Sequence, residues 1–484
     1  MRRGKSPLIT TGVWTLLALL ASTASAGEIG VCPPYSKTFG PEDPPENIVA
    51  FINEINLRPG GGTIVLEPGT YEEPLSEARI SISGIVCVRS QDEARAHISA
   101  NFDVEPRAFL TLRALIVESV VDQWSVMVRS DGTLFTSETW FDWGASSSGL
   151  ENAGSVFAEG SLLPHIFNTG FLAMTGGGIT DPDGSIGLEN SGYALLQGVR
   201  VTHTQYDGKD YGGAGIVNGS NGIVSLVRST VAYNGICCWY QDACGYGCGD
   251  GGIINTQGGY VEISQSIVAR NTAGTLGGNT AGDCFGPVTD LGYNVFGPGG
   301  GCTMTASTSI EADPWFPYSD TYSVSLDPGS PAIDLIPLDA CPAVDSIGNP
   351  RTDGNGNGEV ACDAGALEFS GQGVVVKSPP FARDYGLVDL STDSALYVVF
   401  MSSAALDPAT IDAYSVVLGE TGAVPRAWSL VDRNGDGVLD LRLRYKLKDV
   451  ALECGEQALT VSAVITEGES VSGLLKLEVT GCTF

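Results

Sequence analysis

The chain has 484 residues, is 43% hydrophobic and 17% charged, and carries 56 acidic against 25 basic side chains, a net charge of −31. That balance repels nucleic acid, anionic membranes and polyuronates, and the apolar content excludes a disordered acidic chain. With 64 glycines and few helix-like stretches, an all-β fold with many tight corners is expected.

The first 26 residues read as a secretory signal. MRRGK supplies the positive start, residues 13–21 form a short apolar run, and Ala24, Ser25 and Ala26 form a small-residue cleavage site. The run is too short to be kept as a membrane span, and no other stretch approaches that length. Removing Arg2, Arg3 and Lys5 from the 25 basic residues leaves 22 against 56 acidic ones, a mature net charge of −34. The mature protein is therefore expected to be exported to the cell surface or medium, with the periplasm as the other destination. No integral membrane segment and no nucleic-acid partner are expected. All twelve cysteines lie beyond the signal, and an even count in an exported chain reads as disulfides.

ENIVAFINEINLRPGGGTIVLEPGTY (46–71) comes next. Ile48, Phe51, Ile52 and Ile55 fall at i, i+3, i+4 and i+7, the pattern of an amphipathic helix, and three glycines lead into a strand over 63–66. A helix placed there would cover the open end of a strand stack and protect it from edge pairing. An internal repeat follows. Residues 215–234 (GIVNGSNGIVSLVRSTVAYN) align without gaps to 252–271 (GIINTQGGYVEISQSIVARN), matching Ile216 to Ile253, Asn218 to Asn255, Leu226 to Ile263, Val231 to Val268 and Asn234 to Asn271. Weaker copies begin near Gly132 and Gly192. Short alternating strands broken by Gly, Asn and Ser, repeating every twenty to thirty-seven residues or so, suit a right-handed parallel β-helix. Its apolar columns would stack inward and its asparagines would form ladders at the turns. A propeller needs blades of about forty regular residues and four strands, which these units do not supply. The expected organisation is a signal (1–26), a pectate-lyase-like β-helix with an N-terminal capping helix (27–369), a linker SGQGVVVKSPP (370–380) and a β-sandwich (381–484).

GGNTAGDCFGPVTDLGYNVFG, the later Cys302, LDPGSPAID, ACPAVDSIGNPRTDG and CDAGALE occur in order within 252–369. That series resembles the "choice-of-anchor Q" module of bacterial exported β-helix proteins. The resemblance implies a β-helix C-terminal half and bridges Cys284–Cys302 and Cys341–Cys362; it implies no known reaction. In the last hundred residues, strand-like runs occupy 395–400, 414–418, 439–445, 458–465 and 474–479, a spacing that suits a small β-sandwich. ALYVVFMSSAALDPATIDAYSVVLG and DRNGDGVLDLRLRYK resemble a C-terminal β-sandwich module of secreted bacterial proteins, and Cys454 and Cys482 are placed to staple its end. The pairing of Cys32, Cys87, Cys237, Cys238, Cys244 and Cys248 stays open.

The sharpest chemical signal is DRNGDGVLD (432–440). Asp432, Asn434 and Asp436 place oxygens at loop positions one, three and five; Gly437 makes the turn, Val438 offers a carbonyl and Asp440 closes at position nine. Calcium takes six to eight hard oxygens at flexible geometry, and this spacing supplies most of them. Leu443 stands where an EF-hand has its Glu, and a strand follows instead of a helix, so the loop resembles the calcium loops between strands of integrin-type repeats. A structural calcium is the expectation, with an Asx-rich hairpin turn as the alternative. PRTDGNGNGEVACDAGALEF (350–369) repeats the spacing more weakly: Asp353, Asn355 and Asn357, with Asp363 the next carboxylate, offer less charge. A turn tied down by a disulfide is its alternative.

CCWYQDACGYGC (237–248) reads as a disulfide-stapled loop, zinc being disfavoured in an oxidising compartment. Its Trp239, Tyr240 and Tyr246 either stack on sugar rings or pack over the loop. HTQYDGKD (203–210) gathers His203, Tyr206, Asp207, Lys209 and Asp210, the one mixed acid–base cluster. A lyase or hydrolase would draw His203, Asp207, Lys209 and Asp210 as catalytic groups; the alternative is a solvated corner loop. His97 and His165 stand alone and read as structural. No complete catalytic set emerges. The functional expectation is therefore an exported, non-catalytic β-helix protein that binds carbohydrate or a cell surface. A polysaccharide lyase or glycoside hydrolase acting from the β-helix face is the alternative.

Overall fold

A computed structural model describes residues 31–482 apart from 72–74, 76–78, 92–93, 121–124, 143–148, 181–185, 203–213, 236–250, 276–277, 317–323, 327–329, 353, 355–359, 370–375, 379–385, 403–405, 420–421, 434–438 and 466–469. Among these residues, three long sheets of eleven, nine and eleven strands dominate, stacked as in a parallel β-helix. We call first the sheet that begins at Ser36–Phe39, second the nine-stranded sheet, and third the one that begins at Gly69–Thr70. The chain divides into two compact units, Met1–Met174 with Glu189–Ala194, and Thr175–Leu188 with Leu195–Phe484.

In the first unit a rung takes one strand from each sheet. Ile80–Ile82, Ile85–Ser90 and Ala96–Ser99 make one, and Phe102–Val104, Phe109–Arg113 and Leu115–Glu118 make the next. Alternation along each strand decides which side chains point inward. In the first sheet Val86, Leu110, Leu134 and Val156 lie opposite one another in parallel register, and so do Val88, Leu112, Thr136 and Ala158. All eight are buried. The second sheet stacks Ile80, Phe102, Val126, Leu150 and Ile166 in the same way. Each large apolar side chain so enclosed stabilises the column by about 1.5–3 kcal/mol before chain entropy is counted.

The neighbouring column changes character. Ile82, Val104 and Val128 are followed in register by Asn152 and Asn168. Both asparagines are fully buried, and each finds partners along the stack. Asn152 Nδ2 donates to Asn168 Oδ1 at 2.7 Å, and Asn168 Nδ2 donates to Asn190 Oδ1 at 2.7 Å. A buried amide must be satisfied, and a ladder of identical amides one strand spacing apart does this without water.

The helix spans Pro45–Asn56, with Pro at its start and Glu46 in its first turn, and buries Ile48, Phe51, Ile52 and Ile55. It packs so closely that a Cβ on Gly62 would lie 2.7 Å from Ile55 Cγ1, which requires glycine there. Its last residue is tied to the second sheet and the corner that follows: Asn56 Nδ2 donates to Ser81 O at 2.8 Å, and its Oδ1 accepts from Ser83 N and Gly84 N at 3.0 and 3.1 Å. Ahead of the helix, Cys32 closes a disulfide with Cys87, and Thr63 Oγ1 donates to Pro33 O.

In the second unit the aligned repeat is found in register. Ile216, Asn218, Leu226 and Val231 sit opposite Ile253, Asn255, Ile263 and Val268. Asn218 Nδ2 donates to Asn255 Oδ1, Asn234 Nδ2 to Asn271 Oδ1, and Asn271 Nδ2 to Asp283 Oδ1, each at 2.9 Å. In the rung formed by Cys284–Phe285, Thr289–Asp290 and Val295–Phe296, a carboxylate takes over the ladder's work. Asp290 accepts from Gly292 N, Asn294 Nδ2, Thr305 N, Ala306 N and Ser309 Oγ. Burial opposes its charge, yet the hydrogen bonds from Ser309, Ala306, Thr305 and Asn294 hold its carboxyl below the usual range. Disulfides Cys284–Cys302 and Cys341–Cys362 close this segment.

Residues 376–480 supply two four-stranded sheets. One orders Val376–Lys377, Ala395–Phe400, Asp440–Lys446 and Ala427–Val431; the other orders Gly386–Asp389, Ser470–Thr480, Gly455–Val464 and Val417–Leu418. Their buried side chains, among them Val398, Phe400, Leu443, Tyr445, Val461 and Leu475, form one hydrophobic cluster. The strand expected over 414–418 is confined to Val417–Leu418, and Gly386–Asp389 and Ala427–Val431 are strands the pattern did not announce. Cys454 and Cys482 pair at the end of these sheets.

Candidate functional site

The acid–base cluster His203, Asp207, Lys209 and Asp210 lies outside the described residues, as do Cys237, Cys238, Cys244 and Cys248 with their aromatic neighbours. Of the 432–440 loop, Asn434, Asp436 and Val438 also lie outside, while Asp432 and Asp440 are described. Asp440 is buried; its Oδ1 accepts from Ser402 N and its Oδ2 from Arg433 N, both at 2.7 Å. Each oxygen so engaged retains a lone pair. Asp353, Asn355 and Asn357 are likewise outside the described residues.

Asp363 is buried, and its two oxygens accept from Asp334 N and Phe369 N at 2.7 and 2.6 Å. Burial, and secondly the Glu368 charge, push its carboxyl up to about 7. Glu368 is itself buried and ion-paired with Arg351. These acids hold backbone in place. Among the described residues, no group of three or more His, Cys, Asp or Glu side chains is arranged to hold a metal.

A different surface does concentrate chemistry, on the outer face of the first sheet within the first unit. Strand alternation that sends Leu134 and Val156 inward sends Phe135 and Phe157 outward, directly opposite each other. Phe171 N donates to Gly154 O and Tyr193 N to Gly170 O, so the next two rungs continue the stack. The Phe157 and Phe171 ring centroids are 5.6 Å apart, and Phe171 and Tyr193 are 5.5 Å apart and 3° from parallel. These four rings are half-buried, and Phe109 on the same face is 40% exposed. The result is a row of aromatic rings in which Phe157, Phe171 and Tyr193 follow one another at 5.5–5.6 Å, the last two face to face.

The same alternation lines the edge of this row with charge. Val65, Arg89, Arg113, Ser137 and Glu159 occupy one outward column. Arg89 and Arg113 are directly opposite each other, and beside them opens a groove of about 670 Å³ lined also by Ser90, Gln91, Ser137 and Glu138. At its far side Arg95 Nε donates to Glu138 O at 3.1 Å, and the guanidinium lies 3.9 Å from the centroid of the Trp140 ring. Trp140 is 43% exposed. A cation held over an indole fixes the ring's position and enriches its recognition surface.

His97 does not stand alone. On the outer face of the third sheet its Nε2 lies 3.6 Å from Glu118 Oε2, too far for a hydrogen bond, and that oxygen accepts from Ser99 Oγ at 3.2 Å. With the carboxylate between the hydroxyl and the imidazole, the order differs from that of a nucleophilic triad. His97 is opposite Ile116, which is opposite Trp140.

Sequence reasoning missed this surface because its members are scattered from residue 89 to residue 193. The available signal was the rung period: Arg89 and Arg113 are 24 residues apart, and Phe135 and Phe157 are 22 apart, as are Phe171 and Tyr193. A comparison with protein-family models, curated proteins and solved structures finds no match to this chain.

Proposed function

We propose that this is an exported, non-catalytic binding protein, and that carbohydrate, free or displayed on a cell surface, is its ligand. The observation that carries this reading is the row formed by Phe135, Phe157, Phe171 and Tyr193. Sugar rings present apolar C–H faces that pack on the half-buried edges and free outer faces of such a row, and side chains on a paired sheet are held at fixed spacing at little entropic cost. Serine, glutamine, glutamate and arginine groups beside the row supply hydrogen bonds for hydroxyls. In this reading the stack is a right-handed β-helix capped by the Pro45–Asn56 helix, residues 252–369 are an anchor-type module, and the C-terminal sheets are a β-sandwich whose 432–440 loop holds a structural calcium. The four disulfides among the described residues suit an oxidising compartment. No helix among the described residues is long and apolar enough to cross a membrane.

Titrating the mature chain with a panel of neutral and acidic glycans, by calorimetry and intrinsic fluorescence, tests the reading. Binding weakened about tenfold or more by Tyr193→Ala supports it, since stacking groups of this kind carry 1–2 kcal/mol (about). Absence of binding to every glycan, or affinity unchanged in Tyr193→Ala and Phe135→Ala alike, refutes it. Unsaturated or new reducing ends appearing in these mixtures would replace it with the lyase or hydrolase reading.

A further inference from the structure

We propose that Arg89 and Arg113 together bind one oxyanion, and that this anion is a carboxylate carried by a glycan lying along the aromatic row; the glycan source rests on the carbohydrate reading above. Two like charges directly opposite on neighbouring strands destabilise a sheet. In a chain of net charge −31 such a cationic pair is the least expected arrangement on an outer face. Neither guanidinium forms an ion pair with a carboxylate among the described residues. Arg89 Nη1 donates to Ser90 O, which fixes one guanidinium and leaves its other N–H groups available. Both side chains line the same groove, with Ser90, Gln91 and Ser137 as further hydrogen-bonding groups.

An anion seated between the two removes their mutual repulsion and gains charge-assisted hydrogen bonds from planar forks that match a carboxylate. Glu138 lines the groove as well. Its negative charge disfavours a second anionic group close by, and its oxygens accept from sugar hydroxyls. Together with the charge of the whole chain, this favours a glycan with an isolated acidic residue over a polyanion.

Three oligosaccharides of one backbone, ending in glucose, glucuronate or glucose 6-sulfate, would be titrated into the mature wild type, Arg89→Gln and Arg113→Gln. In parallel, melting would be followed with free glucuronate and with inorganic sulfate. The expected result is a preference of about tenfold or more for the glucuronate-ended chain in the wild type, as charge-assisted hydrogen bonds predict. That ratio should fall toward one in either variant. Equal affinity for neutral and acidic chains overturns the anion site and leaves the carbohydrate reading standing. If no oligosaccharide binds but glucuronate or sulfate raises the melting temperature of the wild type and not of Arg113→Gln, the oxyanion site stands and its glycan source is wrong. If neither glycan nor free anion acts, both are refuted, and the pair is neutralised from within the chain.

Discussion

Asn168 offers the most direct test of how the stack is held. Its side chain is fully buried; Oδ1 accepts from Asn152 Nδ2 at 2.7 Å, and Nδ2 donates to Asn190 Oδ1 at 2.7 Å and to Tyr193 O at 3.1 Å. Asn168→Ala deletes these contacts, each with a net worth of about 1 kcal/mol. It also strips Asn190 Oδ1 of a buried donor and leaves Asn152 Nδ2 with Phe171 O alone at 2.8 Å. Loss of a buried partner costs about 1–3 kcal/mol. The expected total is about 4–6 kcal/mol. Asn168→Asp keeps the shape but turns an acceptor toward the Asn190 and Tyr193 oxygens, so it costs more than alanine. Chemical denaturation measures the global effect. Hydrogen exchange at the backbone amides of 169–173 measures local opening, which stacked-rung proteins allow. Pairing the change with Asn152→Ala should show coupling of about 1 kcal/mol. An alanine cost below about 1 kcal/mol, or strict additivity of the two substitutions, would refute the ladder argument.

Three further outcomes are expected. Asp363 titrates near 7 when folded and near 3.8 when unfolded, so the folded state binds more protons between those values. Stability is therefore fullest below about pH 4 and falls as pH rises toward 7, by at most about 4 kcal/mol; the difference in melting between wild type and Asp363→Asn across pH 4–8 reads it, and a flat difference refutes it. Tyr445 is fully buried and its hydroxyl has no hydrogen-bond partner among the described residues, so Tyr445→Phe should stabilise the C-terminal sheets by about 1 kcal/mol, and a loss on denaturation would contradict this. Removing Cys32–Cys87, which closes a loop with a sequence separation of 55, should cost about 4 kcal/mol on loop-entropy grounds. Cys32→Ser/Cys87→Ser with unchanged melting would show that the N-terminal segment is held by other contacts.

Much of the interior was readable in the chain because burial writes it there. Ile216 and Ile253, Asn218 and Asn255, or Val231 and Val268 must occupy equivalent positions, since a one-residue slip would turn every apolar side chain to solvent. The helix residues Ile48, Phe51, Ile52 and Ile55 were legible for the same reason. The strands Gly386–Asp389 and Ala427–Val431 were not, because four or five residues with mixed polarity carry too little periodicity.

The outer face obeys no such constraint. First-sheet strands begin at Ile85, Phe109, Thr133, Ser155 and Phe171, steps of 24, 24, 22 and 16 residues. The corners absorb these differences, so the 24-residue step that places Arg89 beside Arg113 does not carry on to place Phe157 beside Phe171, which are 14 residues apart. Sequence by itself determined the matched inward positions, the asparagines of the ladders and three of the disulfide pairs. Only the tertiary structure decided that five rings and two arginines share the outer face of one sheet, because an outward side chain's neighbours are set by corner lengths and register, and those emerge when the rungs stack.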